Sequence, residues 1–226
     1  MPLAINDTLP TIQTFLKHWD DTEAALGHPF TLADGSSSDT LRALHEAFYT
    51  AQQDGLVAEN SHQGAIQARD NARKDVLPTA LQARKAIRGL LPESEQVKQL
   101  PKRIPSITAD VQTQLVALRD VLQVWESVNA LPTTLYPTLT RPLVVRIEVD
   151  NVLQSRAATH FQLQVATLSM AAETLVISEQ GLRQAHANRD LVRRQVDGVL
   201  KKYRATVTGL LPRTSTLVRT LPTLAG

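Results

Sequence analysis

The chain has 226 residues, no cysteine, 4% aromatic side chains and a formal net charge of +2. That length suits one large domain or two small ones. The Ala-, Leu-, Val- and Gln-rich make-up is that of a helical protein, not of a sandwich or barrel. Without cysteine, disulfides and thiolate chemistry are excluded, and a cytoplasmic location is favoured. The first residues, Met-Pro-Leu-Ala-Ile-Asn-Asp, lack the basic and apolar segments of a secretory signal. No run of eighteen apolar residues occurs; the most apolar window, 165–177, is interrupted by Ser169 and Glu173.

Charge is zoned along the chain. Residues 1–60 carry net −7, 61–103 net +5, 104–178 net −2 and 179–226 net +6. Such zoning lets acidic parts lie beside basic parts, within one chain or between copies; a basic patch for an outside polyanion is the competing reading.

In chain order, residues 1–10 read as a short extended lead. Residues 11–26 read as a helix with Ile12, Phe15, Leu16, Trp19 and Leu26 on one face, capped by Thr8 or Thr11 and ended by Gly27-His28-Pro29. Residues 29–37 read as extended and then a turn. From Ser38, a fair N-cap, to Leu91 there are few stop signals, and Pro78 is expected to kink the helix. Residues 93–100 form a short helical turn before the linker 101–105. The second half begins with Ser106 as N-cap of a helix carrying Val111, Leu115, Leu118, Leu122 and Trp125, which Leu131-Pro132 ends. Residues 142–150 alternate apolar and charged side chains over their last six positions. They form either a strand paired with residues 30–32 or the first turns of the next helix. Residues 151–211 then read as one continuous or gently kinked helix, on the order of 90 Å long. Gly89 and Gly209 are expected at left-handed C-terminal positions, and 213–221 repeats the short turn of 93–100.

An internal repeat underlies this order. Residues 59–92 and 179–212 align at a constant offset of 120 with eleven identities in thirty-four positions. Unrelated segments would share roughly two. The identities include Arg69/Arg189, Asp70/Asp190, Arg73/Arg193, Arg84/Arg204 and the run Gly-Leu-Leu-Pro. The stripes Val76, Ala80, Ala83, Ile87, Leu90 and Val196, Leu200, Tyr203, Val207, Leu210 share one spacing, which implies two equivalent buried helix faces packed against each other. Trp19 and Trp125 correspond at an offset of 106. The expected fold is all-α: an internally duplicated, elongated helical bundle of two short Trp-bearing helices and two long helices, with a possible small two-stranded ribbon. Residues 1–103 form the first repeat and 104–226 the second, packed as one pseudo-two-fold domain. A Trp, an extended Pro-x-x-Leu stretch and a long helix ending Gly-Leu-Leu-Pro resemble internally duplicated helical proteins of bacteria, a resemblance that implies no activity.

No chemical constellation emerges. P-loop, G-x-G-x-x-G and G-x-S-x-G motifs are missing. His45-Glu46-Ala47-Phe48-Tyr49 starts like a zinc-protease helix but has Tyr49 where the second histidine must stand. No two histidines lie three or four apart, and no Glu-x-x-His occurs, which argues against a di-iron bundle. Catalytic, cofactor and metal residues are therefore expected to be none. The sharpest polar feature is Arg-Asp-x-x-Arg-(Lys/Arg), which groups Arg69, Arg73 and Lys74 and, in its second copy, Arg189, Arg193 and Arg194. These side chains could hold anions or an acidic partner, or form a salt-bridge collar with Asp70, Asp190 and the acidic first segment.

The expected function is a non-enzymatic structural or protein-interaction protein that self-associates through helical surfaces. The alternative is nucleic-acid or polyanion binding through the duplicated basic segments. A weaker third reading, membrane insertion of 165–177, meets the difficulty that thirteen residues are too few to span a bilayer. No small-molecule substrate is evident.

Overall fold

The computed structural model describes residues 3–132, 134, 136–137, 139–149 and 151–224. Met1 and Pro2 of the lead, and Asp150 at the end of the alternating run, lie outside the described residues. The chain is all-α with one small ribbon: α1 (Ile5–Leu26), α2 (Ser38–Leu90), α3 (Glu95–Gln99), α4 (Val111–Asn129), β1 (Val144–Val149), β2 (Val152–Ala157), α5 (Ala158–Leu210) and α6 (Thr216–Arg219). The two long helices each have 53 residues, and their ends are offset by 120. Their continuity matches the shortage of stop signals.

Five local expectations are corrected. The lead is helical from Ile5, with Pro10 inside α1. A proline that early costs one intrahelical bond, and burial of Leu3, Thr8 and Ile12 on one side outweighs it. Thr8 is therefore no cap; its hydroxyl donates back to the Ala4 carbonyl (2.9 Å). Helix α4 starts at Val111, because the Asp110 carboxylate rather than Ser106 accepts from the Thr113 amide (2.9 Å). Residues 30–32 do not pair with residues 144–149. Instead β1 pairs antiparallel with β2, Val144 opposite Ala157 and Val149 opposite Val152. The turn is tight, and Asn151 takes the left-handed conformation (φ 62°) that asparagine tolerates best after glycine. The second long helix accordingly begins at Ala158 instead of Asn151. Finally, Gly89 and Gly209 lie inside their helices: Leu91 and Leu211 still donate to Ile87 and Val207. The left-handed helix end occurs at Gly27 (φ 74°), whose amide donates to Glu23.

Two compact units are present, and each draws on both halves of the sequence. Unit 1 comprises Met1–Asn60 with Gln180–Gly226; unit 2 comprises Ser61–Glu179. In unit 1, Ile12, Phe15 and Trp19 of α1 and Leu41 of α2 enclose Val196, Val199, Leu200, Tyr203 and Val207 of α5, with Phe30 and Leu32 completing the core. In unit 2, Leu115, Leu118, Val121, Val124, Trp125 and Val128 of α4 meet Val76, Ala80, Ala83 and Ile87 of α2 and Phe161, Val165 and Leu168 of α5. The two stripes therefore belong to separate cores and do not pack on each other. Each faces the Trp-bearing helix of the other sequence half. Leu90 and Leu210, which end the stripes, are exposed.

The Trp environments differ in detail. Trp19, Phe30 and Tyr203 form a cluster of near-parallel rings, Trp19 lying 5.3 Å from Phe30 and 4.4 Å from Tyr203 (23° between planes), with Phe30 and Tyr203 6.0 Å apart. Trp125 lies against Phe161, and its indole N–H donates to the Leu143 carbonyl (3.0 Å). Asn129 accepts from the Leu143 amide (2.8 Å), so the end of α4 holds the segment that enters β1. Helix α2 continues through Pro78, which leaves the Lys74 carbonyl without its intrahelical donor. Beside it the buried Gln164 amide donates to the Asp75 carbonyl (3.1 Å). At an offset of 120 unit 1 has Gly198 and Leu44 instead, so the proline and the polar side chain that serves its neighbourhood differ together.

Unit 1 holds one buried polar cluster. His18 Nε2 meets the Leu217 carbonyl (2.8 Å), and its Nδ1 meets the Tyr203 hydroxyl (2.7 Å), which also lies 3.1 Å from Thr22. A carbonyl only accepts, so Nε2 carries the proton and Nδ1 accepts from Tyr203. Burial pushes the Tyr203 phenol up to about 12 from its ordinary 10.0. A raised folded value favours the neutral phenol, so the stabilisation is complete below pH ~10 and lost as pH rises towards ~12. Tyr203→Phe is expected to lower stability at neutral pH by about 1–3 kcal/mol, since His18 loses its donor. Urea midpoints measured through that alkaline window should fall less steeply for the variant than for the parent.

Candidate functional site

The repeated arginine motif occupies equivalent places in the two units, and most of it is engaged within the fold. Arg69 closes onto its neighbour Asp70, Nη2 to Oδ1 at 2.7 Å and Nε to Oδ1 at 2.9 Å. Arg73 is 8% exposed and donates from Nη2 to the Ala109 carbonyl (3.1 Å), with Asp70 at 4.0 Å. Arg193 donates to the Leu3 carbonyl (3.3 Å) and pairs with Asp190 (3.3 Å). Ala109 and Leu3 are each the residue before an N-cap, of α4 and of α1 respectively. Arg73 and Arg193 therefore each tie a long helix to the residue that leads into a Trp-bearing helix from the other half of the sequence. Burial lowers the Arg73 pKa, with the Arg69 charge adding to the effect, but a guanidinium starts so far above neutrality that it stays charged.

Arg189 lies against Gly55, where a Cβ would meet its Nη1 at 3.8 Å. Lys74 and Arg194 are exposed. Lys74 borders a hollow of about 220 Å³ with Asn71, Asp75, Pro78 and Val149. Arg194 borders one of about 400 Å³ with Leu44, Gly198 and Lys202, and its Nε donates to the Asp190 carbonyl (3.2 Å). Arg73 and Arg193 thus clamp backbone, Arg69 holds the Asp70 carboxylate, and Lys74 and Arg194 stand outward at the edges of shallow hollows.

A second arginine pair works similarly. Arg84 donates to the Pro101 (2.9 Å) and Lys102 carbonyls, and Arg204 to the Pro222 carbonyl, so each fastens the segment that follows a short helix. The zoned charges also meet inside unit 1, where net −7 in Met1–Asn60 joins net +7 in Gln180–Gly226. Lys202 reaches Asp34 at 2.6 Å and holds that carboxyl well below its usual range; His186 lies 3.2 Å from Glu59. Among the described residues no three His, Cys, Asp or Glu side chains gather as a metal site would require, and no helix is long and apolar enough to cross a membrane.

The sequence reading missed the outer face of α5 in unit 2. Between Arg156 and Glu179 the one acidic or basic side chain, histidine apart, is Glu173. The inner side buries Phe161, Val165, Leu168 and Ala172, yet Leu163 (67%), Met170 (59%) and Ile177 (68%) recur every seven residues on the exposed side. Two interleaved apolar stripes in one window were the available signal. They merged into a single apolar run when the window was tested only for membrane length.

Comparisons with protein-family models, with curated proteins and with solved structures found no match.

The clamp is testable. Arg73→Met keeps the aliphatic stem and removes the charged head, leaving the Ala109 carbonyl without this donor. Loss of a hydrogen bond to a charged group is expected to cost about 1.5–3 kcal/mol in urea unfolding. Lys74→Met, one residue along and exposed, should change stability by less than about 0.5 kcal/mol.

Proposed function

We propose that the protein is a non-enzymatic structural or protein-interaction protein that associates through a helix surface. The observation that carries this reading is the apolar outer face of α5 in unit 2. A soluble helix ordinarily keeps one apolar stripe against the core and a polar face outward; this one buries one stripe and exposes a second, Leu163, Met170 and Ile177, beside Gln162, Thr167, Glu173 and Thr174. At the positions 120 residues earlier, α2 in unit 1 has Ala43 and Thr50 in place of Leu163 and Met170, among Glu46, Gln53 and Asp54, while Leu56 (50%) and Val57 (68%) are exposed there as Val176 and Ile177 are in α5. The two units thus differ on their outer faces while their buried stripes correspond.

The polyanion alternative draws on the same arginines, and three of them, Arg69, Arg73 and Arg193, already hold a carboxylate or a backbone carbonyl. Withdrawing Arg73 or Arg193 to serve phosphate would leave those acceptors unpaired. The cysteine-free composition fits the cytoplasm, and no constellation calls for a cofactor or a small substrate.

Mass in solution by light scattering, across concentration and ionic strength, tests the reading. The expected result is a mass that rises with concentration and persists at high salt, since the face is nearly uncharged. A constant monomer mass, together with salt-sensitive binding of a DNA or RNA oligomer, would favour the alternative.

A further inference from the structure

We propose that the outer face of α5 in unit 2 pairs antiparallel with the same face of a second copy, about a two-fold axis passing at Met170. This deepens the interaction-protein reading and rests on it. The argument starts from spacing. Leu163, Met170 and Ile177 stand seven residues apart, so they form one nearly straight stripe along the helix. A two-fold contact must be complementary to itself. With the axis at Met170, Leu163 of one copy meets Ile177 of the other at both ends, and the two Met170 side chains meet in the middle. Three large apolar layers result, with the adaptable methionine at the one place where a side chain must pack against itself.

Charge points to the same occupant. A charged residue close to a two-fold axis meets its own kind. Glu173 is the one acidic or basic residue in the window, and this register sets it opposite Thr167 of the second copy, not opposite another Glu173. Ala166, Thr167 and Thr174, which flank Met170, are small and neutral, which permits close helix approach; Gln162 beside Leu163 is polar but uncharged. A strongly acidic or basic partner would find no complementary charges here.

Area sets the expected strength. Leu163, Met170, Val176 (54%) and Ile177 expose half to two-thirds of their surface. With the flanking small residues this gives roughly 500–600 Å² per copy, at the lower edge of specific interfaces. The pairing is therefore expected to be weak and concentration-dependent.

The lack of native cysteine makes the register directly readable. In Met170→Cys a disulfide forms between copies only if the two β-carbons come within about 4.5 Å. Under mild oxidation, this variant is expected to give a covalent dimer at least ten-fold faster than Thr50→Cys, its counterpart on α2. Sedimentation velocity supplies the second arm: Met170→Glu, which places like charges on the axis, should raise the dissociation constant at least ten-fold. The double variant L163K/I177E, which sets opposite charges across both outer layers, should dimerise more tightly than either single change. Equal crosslinking of the two cysteine variants would overturn the pairing. So would undiminished dimerisation of Met170→Glu, although self-association itself would then stand and the broader reading with it. A parent that stays monomeric at several hundred micromolar would remove both. Adsorption of that monomer to vesicles of neutral and anionic phospholipid, abolished by Met170→Glu, would assign the face to a membrane surface instead.

Discussion

Burial of the two long-helix stripes against Trp-bearing helices from the opposite half of the sequence constrains everything else. The stripe 196–207 finds its cover in α1, which precedes it by nearly the whole chain. Tyr203 is its centre, stacked on Trp19 and hydrogen-bonded to His18. The stripe 76–87 finds its cover in α4, which follows it. Each core thus closes a contact between distant segments, and neither half of the sequence holds a complete core by itself.

Polar groups follow from that exchange. When a short helix docks on a long one, the residue leading into it brings a backbone carbonyl near the contact, outside the helical ladder, and such a group needs a partner. Arg73 and Arg193 supply donors at equivalent points, to Ala109 and to Leu3. The offset between the arginines is 120 and that between the carbonyls is 106, the two offsets seen between the long and the short helices. Charge zoning has the same origin in unit 1, where segments of net −7 and +7 share one compact unit. What remains uncommitted is the outer face of α5, where Leu163 and Met170 stand at positions that α2 fills with Ala43 and Thr50.

The helical class, the long helices and the paired stripes were legible because hydrophobic periodicity over many turns is a strong signal. The Trp-bearing helices were legible for the same reason. The lead into α1 was not, because Pro10 suggests a boundary and burial of Leu3 and Thr8 overrides it. The ribbon partner was missed because β2 merges without a break into α5; Asn151, a residue type that tolerates the left-handed conformation found there, was the cue. Gly89 and Gly209 mark where a helix can end, while the observed ends fall a residue later. At the candidate site, the sequence identified Arg69, Arg73, Arg189 and Arg193 as a group, yet Arg73 and Arg193 donate to backbone carbonyls far along the chain, which no local pattern reveals. The outer stripe of α5 escaped because residues at seven-fold spacing were hidden within a longer apolar run.

The exchange of helices between halves is tested most directly by splitting the chain at the linker and following Trp19 fluorescence and helical circular dichroism in the pieces 1–103 and 104–226. The account predicts that neither piece is a cooperatively folded monomer, and that equimolar mixing restores the blue-shifted emission of a buried indole and a cooperative unfolding transition. A monomeric 1–103 that unfolds cooperatively with Trp19 already buried would contradict it.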